Sequence, residues 1–403
     1  MTKLRVAMVC PYSWGTPGGV QNHVLGLAGW LTARGHLVEV FAPGHPDPAT
    51  LVRHGLGADQ FVSAGWAVPV PYNGSVAKIN FGPRTHRRVR QWLNGGDFDV
   101  LHLHEPITPS AAVLALWSAG TVPVVATFHT ATPRSRTMHL ARRVLRGSVA
   151  RIDAGIAVSQ TARRVVVDHL ARDADIIPNG IRHDHLRGGD GPRSPLQMVY
   201  LGRLNEPRKG LDVLLRAWPE IRRRHPGAEL LLAGAGQRRL PPGCRALGVV
   251  SDQVRTELLT GADLFIAPHR GRESFGLVVA EAMAAGAHVV AADIPAFVDV
   301  LSDERGIQHG ELFAAGDALA LVEAVTRAVD GSSDASRARA REVARRYDWG
   351  VVGPQILGVY EQARSASGVP AQPPSGVPAQ PPSGVPLRSD QTLPVAEIAT
   401  LAQ

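Results

Sequence analysis

The sequence predicts an α/β protein made of two Rossmann-like, doubly wound domains that face a cleft. Short runs rich in Val, Leu and Ala alternate with amphipathic helical patterns, which is typical of parallel sheets covered by helices on both faces. The alternation is interrupted between Asn179 and Pro195 and then starts again. The chain has 403 residues, more than one hydrophobic core usually organises, so two domains are expected.

The first half begins with a strand, a glycine-rich loop and a helix. Leu4–Cys10 is a short apolar run, the loop extends to Gly19, and Val20–Arg34 has apolar residues at helical spacing. The same reasoning predicts further buried strands at Leu37–Ala42, Val100–His104, Val122–Phe128 and Ile152–Val158, and helices after Pro109, Thr137 and Gln160.

The second half repeats this order. Strands are predicted at Gln197–Gly202, Ala228–Gly234, Asp263–Pro268 and Ala287–Ala291, and helices at Gly210–Arg224, Ala335–Tyr347 and Val351–Ala363. We expect a first domain at residues 1–180, a second at 181–347, and a helix at 348–364 that packs back on the first. The octapeptide SGVPAQPP repeats from Ser367, so residues 365–403 are expected to be a disordered Pro-rich tail without a catalytic role.

Composition narrows the class of protein. The first apolar stretch ends at Pro11, and the longest apolar run, Ala111–Phe128, is interrupted by a glycine and a proline, so neither a signal peptide nor a membrane span is expected. Cys10 and Cys244 are too far apart in sequence to suggest a disulfide framework or metal-ligand spacing, and a reducing cytoplasm is expected. The net charge of +8 fits polyanionic partners, such as anionic lipid or nucleic acid, as well as solvated basic faces.

The glycine-rich loop Gly15–Val20 precedes the first helix. Its backbone amides could approach a phosphate at the positive end of the helix dipole. The loop lacks the G-x-G-x-x-G spacing of a dinucleotide site, so a tight strand-to-helix turn is an alternative reading.

Two cations lie in a loop of the second half. Arg203 and Lys209 belong to the run Gly202–Gly210, at the carboxyl end of a predicted strand and before a helix. Two fixed positive charges there could neutralise a diphosphate leaving group. Two solvent-facing cations in a surface loop are the alternative.

Two glutamates follow the strand predicted at Asp263–Pro268. Glu273 lies in a loop, and Glu281 lies about one turn inside a helix that begins near Gly276. The carboxylates could hold sugar and ribose hydroxyls on either side of a pyrophosphate bound by the helix start. Taken alone, the pair is better explained as a helix cap and a surface acid.

In combination, these residues resemble a known enzyme family. The E-x7-E spacing of Glu273 and Glu281 and the G-R…E-x-x-K-G loop are similar to the donor motifs of the family 4 retaining glycosyltransferases, which have the GT-B fold. Within that family, the chain most resembles the actinobacterial phosphatidylinositol mannosyltransferases that add the first mannose. The similar strings are Met8–Ser13, Pro17–His23, Val68–Ala77, Asp97–Pro106, Ala126–Thr130, Glu206–Gly210 and Glu273–Gly276, and the resemblance extends from about Leu4 to Ala363.

The resemblance implies a GDP-mannose donor in the cleft. Gly19, Arg203 and Lys209 would surround the diphosphate, Glu273 would bind the mannose and Glu281 the ribose. The remaining donor contacts would be Asp252 and Arg255 near the guanine, and Ser274, Phe275, Gly276, Leu277 and Val278 at the helix start. His129 would act at the reaction centre together with Arg203, Lys209 and Glu273, although alone it would be read as a structural histidine.

The resemblance also implies an acceptor pocket for the inositol phosphate of the lipid. It would contain Tyr12, Gln21, Asn73, Lys78, Thr130 and Arg134. Two departures affect the phosphate grip. The related enzymes carry arginines at Lys78 and Asn80, so that one position loses the bidentate fork and the other its charge. Pro133 and Arg134 stand where Thr and Lys are expected.

The basic run Arg84–Leu93 has a helical pattern. Its apolar Val89, Trp92 and Leu93 could anchor at a membrane interface while Arg87, Arg88 and Arg90 meet anionic headgroups. This would place the protein in the cytoplasm, peripherally on the cytoplasmic face of the cell membrane. The alternative is a packed amphipathic helix with a solvated basic face.

The implied reaction retains the configuration of the sugar. The acceptor hydroxyl attacks the face from which the diphosphate leaves, and no nucleophile from the protein is needed. No tightly bound cofactor and no protein metal site are expected, and a requirement for Mg²⁺ with the donor stays open. The alternatives are another nucleotide sugar, a soluble acceptor such as inositol phosphate, or a nucleic-acid-binding protein. The last rests on charge alone, because stacking aromatics are not interleaved with the basic residues, so nucleic acid is not expected as a partner.

Overall fold

The computed structural model describes residues 2–15, 18–72, 75–130, 147–186 and 196–368, and these form two parallel α/β domains. In the first domain the strands are β1 (Arg5–Val9), β2 (Leu37–Ala42), β3 (Phe61–Ser63), β4 (Val68–Tyr72), β5 (Ser75–Ile79), β6 (Val100–His104), β7 (Val124–Phe128), β8 (Ala154–Ala157) and β9 (Asp175–Ile176). Its helices are α1 (Gly19–Thr32), α2 (Pro48–Arg53), α3 (Pro83–Gly95), α4 (Ala111–Ser118) and α5 (Gln160–Leu170).

The second domain repeats the architecture. Its strands are β10 (Gln197–Leu201), β11 (Glu229–Ala233), β12 (Cys244–Gly248), β13 (Leu264–Ala267), β14 (His288–Ala292) and β15 (Glu311–Phe313). Its helices are α6 (Leu211–Arg224), α7 (Asp252–Gly261), α8 (Leu277–Ala285), α9 (Pro295–Leu301), α10 (Ala318–Gly331) and α11 (Asp334–Ala344), and the chain continues into α12 (Trp349–Ala366).

The strand orders confirm the predicted fold class. The first sheet has the order β3-β2-β1-β6-β7-β8-β9 and the second has β12-β11-β10-β13-β14-β15, with every pairing parallel. Both follow the Rossmann order, in which the strand order reverses at a switch point. Ligands of such sheets bind outside the carboxyl ends of the two strands at that point. The switch points lie between β1 and β6 and between β10 and β13.

The first sheet is buried on both faces because its central strands β1, β6 and β7 are buried almost throughout and carry mainly apolar side chains. Val6 and Met8 belong to a core cluster shared with α1 and α12, whereas Ala7 and Val9 belong to the cluster under α3 and α4. Successive side chains of a strand point to opposite faces, so an uninterrupted apolar run is what a two-sided core requires.

Helix α12 lies on the first domain, against α1 and strands β6 to β8. Gly353 permits the close approach, because a Cβ there would lie 2.4 Å from ring atoms of Trp30. The two segments that connect the domains run side by side. The N–H of Ile181 donates to the carbonyl of Tyr347 at 2.7 Å, and that of Trp349 donates to the carbonyl of Ile181 at 3.2 Å.

Some strands were not predicted, and some predicted segments lie outside the described residues. Strands β4 and β5 form an antiparallel hairpin beside the first sheet, where no strand was predicted. Three predicted segments lie largely or wholly outside the described residues: the helix after Thr137, most of the interruption between Asn179 and Pro195, and the Pro-rich tail from residue 369. None of the described helices combines the length and the apolar character that crossing a bilayer demands.

Candidate active site

Two loops meet at the switch point of the second sheet. One follows β10 and contains Arg203 and Lys209, and the other follows β13 and contains Glu273. Gly210 allows the contact, since its φ is +68° and a Cβ would lie 1.7 Å from the carbonyl oxygen of Pro268. A side chain at this position would therefore force the loops apart.

Lys209 and Glu273 form the centre of a partly buried ionic group, which we call the Lys209–Glu273 cluster. Its members are Arg203, Glu206, Arg208, Lys209, His269 and Glu273. The Nζ of Lys209 lies 2.9 Å from Glu273 Oε2 and 2.9 Å from His269 Nε2. Arg208 Nη1 also contacts Glu273 Oε2, at 3.3 Å. Three cations thus share two carboxylates, which leaves a positive excess for an anionic ligand.

Arg203 is the solvent-facing member of the cluster. Its Nη1 lies 3.1 Å from Glu206 Oε2, and Arg208 pairs with the other oxygen of Glu206. The side chain of Arg203 is 37% exposed while that of Glu206 is 6% exposed. The carboxylate of Glu206 therefore fixes the guanidinium of Arg203, whose side chain stays partly exposed to solvent.

The electrostatics of the cluster fix its protonation. Burial alone would raise the pKa of Glu273, but Lys209, His269 and Arg208 outweigh it and lower the pKa to about 2. Burial and the charge of Lys209 lower the pKa of His269 well below its usual value. Glu273 is therefore an anion that can accept hydrogen bonds, and His269 is a neutral acceptor for Lys209.

Helix α8 begins next to Glu273. Its N-cap, Gly276, has a φ of +95° and, as a glycine, has no side chain with which to cap the first turn. The first N–H groups of a helix lack partners within the helix and carry the positive end of its dipole, so this turn can bind an anion. Phe275, just before the helix, is buried and packs edge-on against Tyr347 at 5.2 Å.

A cavity of about 530 Å³ lies between the two domains and reaches α8. Leu277 and Glu281 of α8 and Asp252 and Arg255 of α7 line it from the second domain. Asn22, Arg53, Gly180 and Trp349 are among the residues that line it from elsewhere in the chain. Four predicted donor residues, Asp252, Arg255, Leu277 and Glu281, thus line the cavity. Arg203, Lys209 and Glu273 belong to the Lys209–Glu273 cluster, which lies outside the lining.

Two acidic residues of this cavity, Glu281 and Asp252, are paired with arginines. Arg255 makes a two-pronged contact with Glu281, in which Nη1 lies 2.9 Å from Oε1. Burial raises the pKa of Glu281, and Arg255 partly opposes this. Asp252 lies 3.1 Å from Arg53 of the first domain, so this ion pair spans the cleft.

Four histidines pack together in the first domain and were not predicted as a group, apart from His129. We call them the histidine cluster: His23, His102, His104 and His129, all buried. His104 Nδ1 and His129 Nε2 are 3.1 Å apart. His102 is fixed by Tyr360 and Thr127, each at 2.7 Å. The sequence contained a signal for two of the four histidines. His102 and His104 flank Leu103 at the end of β6, and residues i and i+2 of a strand share a face.

Glu105, directly after β6, fixes the backbone of His129. Its carboxylate accepts a short hydrogen bond from the N–H of His129 and one of 2.8 Å from Thr130 Oγ1. Glu105 is 1% exposed and has a φ of +52°, a strained value for a residue with a Cβ. Burial raises its pKa to about 7, although the hydrogen bonds from Thr130 and His129 lower it.

His23, His104 and His129 are close enough together to be considered as metal ligands, with one nitrogen of each within 4.8 Å of the others. The geometry instead matches a hydrogen bond. The ring centroids of His104 and His129 are 5.4 Å apart and the rings are 25° from coplanar. This separation exceeds the N···N distance by only the two ring radii, so the nitrogens point at each other along one line. An ion bound to both would lie off the ring axes, where a nitrogen lone pair does not point.

The predicted acceptor residues are partly brought together. The N–H of Ser13, next to Tyr12, donates to the carbonyl of Lys78 at 2.9 Å, which joins the hairpin to the loop after β1. Gln21 is buried and donates to the carbonyl of Ser13 at 3.1 Å. Thr130 is bound to Glu105, as above. Asn73 and Arg134 lie outside the described residues, and the predicted donor residue Gly19 is the exposed first residue of α1.

The uncharged side chain of Asn80 makes two hydrogen bonds within the first domain. Its Nδ2 donates to the carbonyl of Ala64 at 2.9 Å, and its Oδ1 accepts from Thr85. The residue thus ties the end of the hairpin to the first turn of α3.

The prediction that Val89, Trp92 and Leu93 anchor at a membrane is wrong. Val89 and Leu93 are buried in the core. Trp92 stacks on Phe41 at 5.1 Å and donates from Nε1 to Glu39 Oε2 at 2.7 Å. The apolar face of α3 packs on its own domain, and the charged face of the helix stays in solvent. Arg87, Arg88 and Arg90 are exposed, as predicted.

Two Rossmann domains around a cleft, with a basic loop and an uncapped helix start at the carboxyl edge of the second sheet, define a GT-B glycosyltransferase. The family model for glycosyltransferase family 4 matches residues 17–185, and that for glycosyl transferases group 1 matches residues 195–330. The chain therefore belongs to glycosyltransferase family 4.

Curated relatives are similar over nearly their whole length. The phosphatidyl-myo-inositol mannosyltransferase of Propionibacterium freudenreichii subsp. shermanii is 46% identical over 369 residues, 89% of this chain and 95% of the relative. The enzymes of the same name from Mycobacterium tuberculosis and Mycolicibacterium smegmatis are 45% and 44% identical, and 97% and 96% of their lengths are covered.

Solved structures share the fold at low identity. A glycosyltransferase from Rickettsia africae superposes with a TM-score of 0.70 at 16% identity, over 90% of this chain and 98% of that one. Anabaena HepE in complex with UDP and glucose gives a TM-score of 0.68 at 18% identity, over 89% and 99% of the two chains.

Proposed function

We propose that this chain transfers mannose from GDP-mannose to the inositol ring of phosphatidylinositol, the first step of phosphatidylinositol mannoside synthesis. The observation that carries the proposal is the identity of 44–46% to phosphatidyl-myo-inositol mannosyltransferases across 95–97% of their length. The basic loop before α8 and the cavity lined by α7 and α8 support the proposal, because they offer cations and carboxylates to such a donor.

The donor diphosphate would bind between Arg203, Lys209 and the first turn of α8. Two cations and a row of N–H groups favour the departing charge more than the bound donor, because negative charge grows on the phosphate as the sugar leaves. Glu273, held as an anion, would accept hydrogen bonds from the mannose hydroxyls. Glu281 would bind the ribose, with Arg255 and Asp252 near the guanine.

The sugar would react between the domains. The acceptor hydroxyl attacks from the face that the diphosphate leaves, and the leaving oxygen takes its proton, so configuration is retained. His129 of the first domain would lie at the sugar. Closing the cleft would then align the two reactants, which lowers the barrier by fixing their orientation.

The lipid would be reached from a surface next to α3, which we call the basic surface: Arg84, Arg87, Arg88 and Arg90 with the exposed rings of Trp66 and Phe81. Trp66 is 95% exposed and follows Gly65, over which Arg88 lies. Arginines attract anionic headgroups and exposed aromatic rings insert at the interface. These rings take the place of Trp92. The proposed location is the cytoplasmic face of the membrane.

The test is direct. Purified full-length protein is incubated with labelled GDP-mannose and vesicles of phosphatidylinositol and neutral lipid, and the lipid extract is examined for a labelled mannolipid. Vesicles without phosphatidylinositol are the control. Absence of a mannolipid with phosphatidylinositol, together with transfer from a UDP sugar or to soluble inositol phosphate, would replace the proposal by the alternative donor or acceptor. Asn80 is the reason for testing other acceptors, because it lacks the positive charge that would bind the phosphate of the lipid.

No tightly bound cofactor is part of the proposal, and Mg²⁺ would act only as a companion of the donor diphosphate. Chelation by EDTA should therefore leave the stability of the folded protein unchanged. It should lower mannose transfer only if the donor has to be bound to Mg²⁺. Thermal melting in the same buffers measures the first effect and product formation the second.

A further inference from the structure

The histidine cluster contains a hydrogen bond whose direction carries information. His104 Nδ1 and His129 Nε2 face each other at 3.1 Å along one line. Between two neutral imidazoles, one nitrogen must carry the hydrogen and the other must accept it. The surroundings of His104 decide which nitrogen this is.

His104 has one ring nitrogen without a partner. The residue is fully buried, and its Nε2 makes no hydrogen bond within the described residues. Burial, reinforced by the neighbouring histidines, lowers the pKa of His104 and of His129 well below the usual value, so each ring is neutral and carries one proton. A proton on His104 Nε2 would be a buried N–H without an acceptor. A proton on Nδ1 is donated to His129 and leaves only a lone pair unmatched, which proteins tolerate better.

This direction fixes the tautomer of His129. Because its Nε2 accepts, the hydrogen of the neutral ring is on Nδ1, and Nδ1 is not one of the buried unpaired nitrogens of the described chain. We propose that His104 is a positioning residue that holds His129 as the Nδ1–H tautomer, so that His129 presents a hydrogen-bond donor to the sugar or acceptor in the cleft. This rests on the proposed function, in which His129 lies at the reaction centre.

The neighbours of both rings keep them in one orientation, which a directed hydrogen bond requires. Glu105 holds the main chain of His129. The ring of His102, fixed by Tyr360 and Thr127, lies 4.4 Å from that of His104 between centroids. His23 closes the third side, with centroids 5.5 Å from His104 and 5.3 Å from His129.

The donor tautomer suits the reaction. The leaving phosphate oxygen takes the proton of the acceptor, so His129 is not needed as a base. A neutral N–H can bind a hydroxyl oxygen of the substrate without adding a charge that would compete with Arg203 and Lys209 for the diphosphate.

The tautomer is measured by ¹⁵N chemical shifts of histidine side chains in the full-length, selectively labelled protein. The signals of His129 are assigned by their loss in His129→Gln. We expect the Nδ1–H pattern in the wild type. His104→Asn should keep it, because the amide N–H of Asn occupies the position of His Nδ1, whereas His104→Leu should shift His129 toward Nε2–H or a mixture. A wild-type His129 in the Nε2–H form would overturn the inference.

Kinetics provide the second readout. His104→Leu should lower kcat for mannosyl transfer by about 10–100-fold, the range seen when a partner that orients a functional histidine is removed, with KM for GDP-mannose changed less than about twofold. His104→Asn should recover most of kcat. Unchanged kcat in His104→Leu would also overturn the inference. If the wild type makes no mannolipid, the proposed function fails while the spectrum still decides the tautomer. If His104→Leu does not fold, the wild-type and His104→Asn spectra decide it.

Discussion

At the scale of residues, the proposed catalytic role of Lys209 and Arg203 depends on the side chains that hold these two cations in place. Lys209 is held by Glu273 and His269, and Arg203 by Glu206, so both cations are positioned before a ligand arrives. Such preorganisation is what makes a charge effective at a developing anion, because no reorientation is needed during the reaction.

Lys209→Ala should lower kcat by about 10²–10³-fold, the typical cost of losing one group that stabilises departing charge. Arg203→Ala should lower it as well. The measurement is steady-state transfer of labelled mannose, with thermal melting to verify the fold. Arg223→Ala is the matched control, because Arg223 is exposed on α6 and pairs with Glu220 at the surface. Turnover of Lys209→Ala near that of Arg223→Ala would contradict the role of the cation.

Glu105 should make stability depend on pH. Its folded pKa is raised from 4.5 to about 7, so the folded state holds the proton more tightly than the unfolded state. This contribution is complete below about pH 4.5 and is lost as the pH rises through about 7, a change of about 3 kcal/mol at most. Glu105→Gln should therefore flatten the fall in the free energy of unfolding between pH 4.5 and 7 in urea titrations. Glu361→Gln, at an exposed position of α12, should leave the slope unchanged; equal slopes in all three proteins would refute the assignment to Glu105.

At the scale of elements, most strands could be predicted and the pairings within the site could not. Gln197–Gly202 and Leu4–Cys10 coincide with β10 and β1 to within one residue at either end, because buried parallel strands are continuous apolar runs. β12 is an edge strand with exposed residues and no such run, and the β4–β5 hairpin contains two prolines, so neither gave a strand signal.

In the candidate site, too, the positions of the loops could be predicted and the contacts between them could not. The loops carrying Arg203 and Glu273 could be placed from the sequence, since each follows a recognisable strand. The contacts of Glu206 with Arg203 and of Glu105 with His129 could not, because they depend on how two loops or two strand ends approach in space. Trp92 was misassigned for a related reason: a helical pattern shows which residues share a face but not what covers that face.

Helix α12 offers a test of packing with an internal control. Gly353→Ala places a Cβ about 2.4 Å from Trp30 and should destabilise the protein by about 1–3 kcal/mol, the usual cost of overpacking. Gly358→Ala, in the same helix but with open space at the Cβ, should be neutral or stabilising by up to about 1 kcal/mol because alanine favours helix. Urea unfolding of both variants measures the difference, and equal stabilities would contradict the contact.

At the scale of the whole molecule, the proposed donor diphosphate site belongs to the second domain, and His129 and the proposed membrane contact belong to the first. The double substitution Arg87→Glu and Arg90→Glu should weaken sedimentation with anionic vesicles by about tenfold or more, since each arginine near such a surface contributes about 1 kcal/mol. Hydrolysis of GDP-mannose in solution should persist. Arg339→Glu, at an exposed position of α11, is the control. Unaltered vesicle binding in the double variant would exclude the basic surface as the contact.

The paired connection at Ile181 and Tyr347–Trp349 limits how the two halves of the enzyme can move. Two domains joined by a single linker can rotate freely relative to each other. Two domains joined by adjacent, hydrogen-bonded linkers share one hinge and rotate chiefly about it. Opening and closing of the cleft would then follow a single path, and His129, the proposed sugar contact, would return to the same place in every turnover.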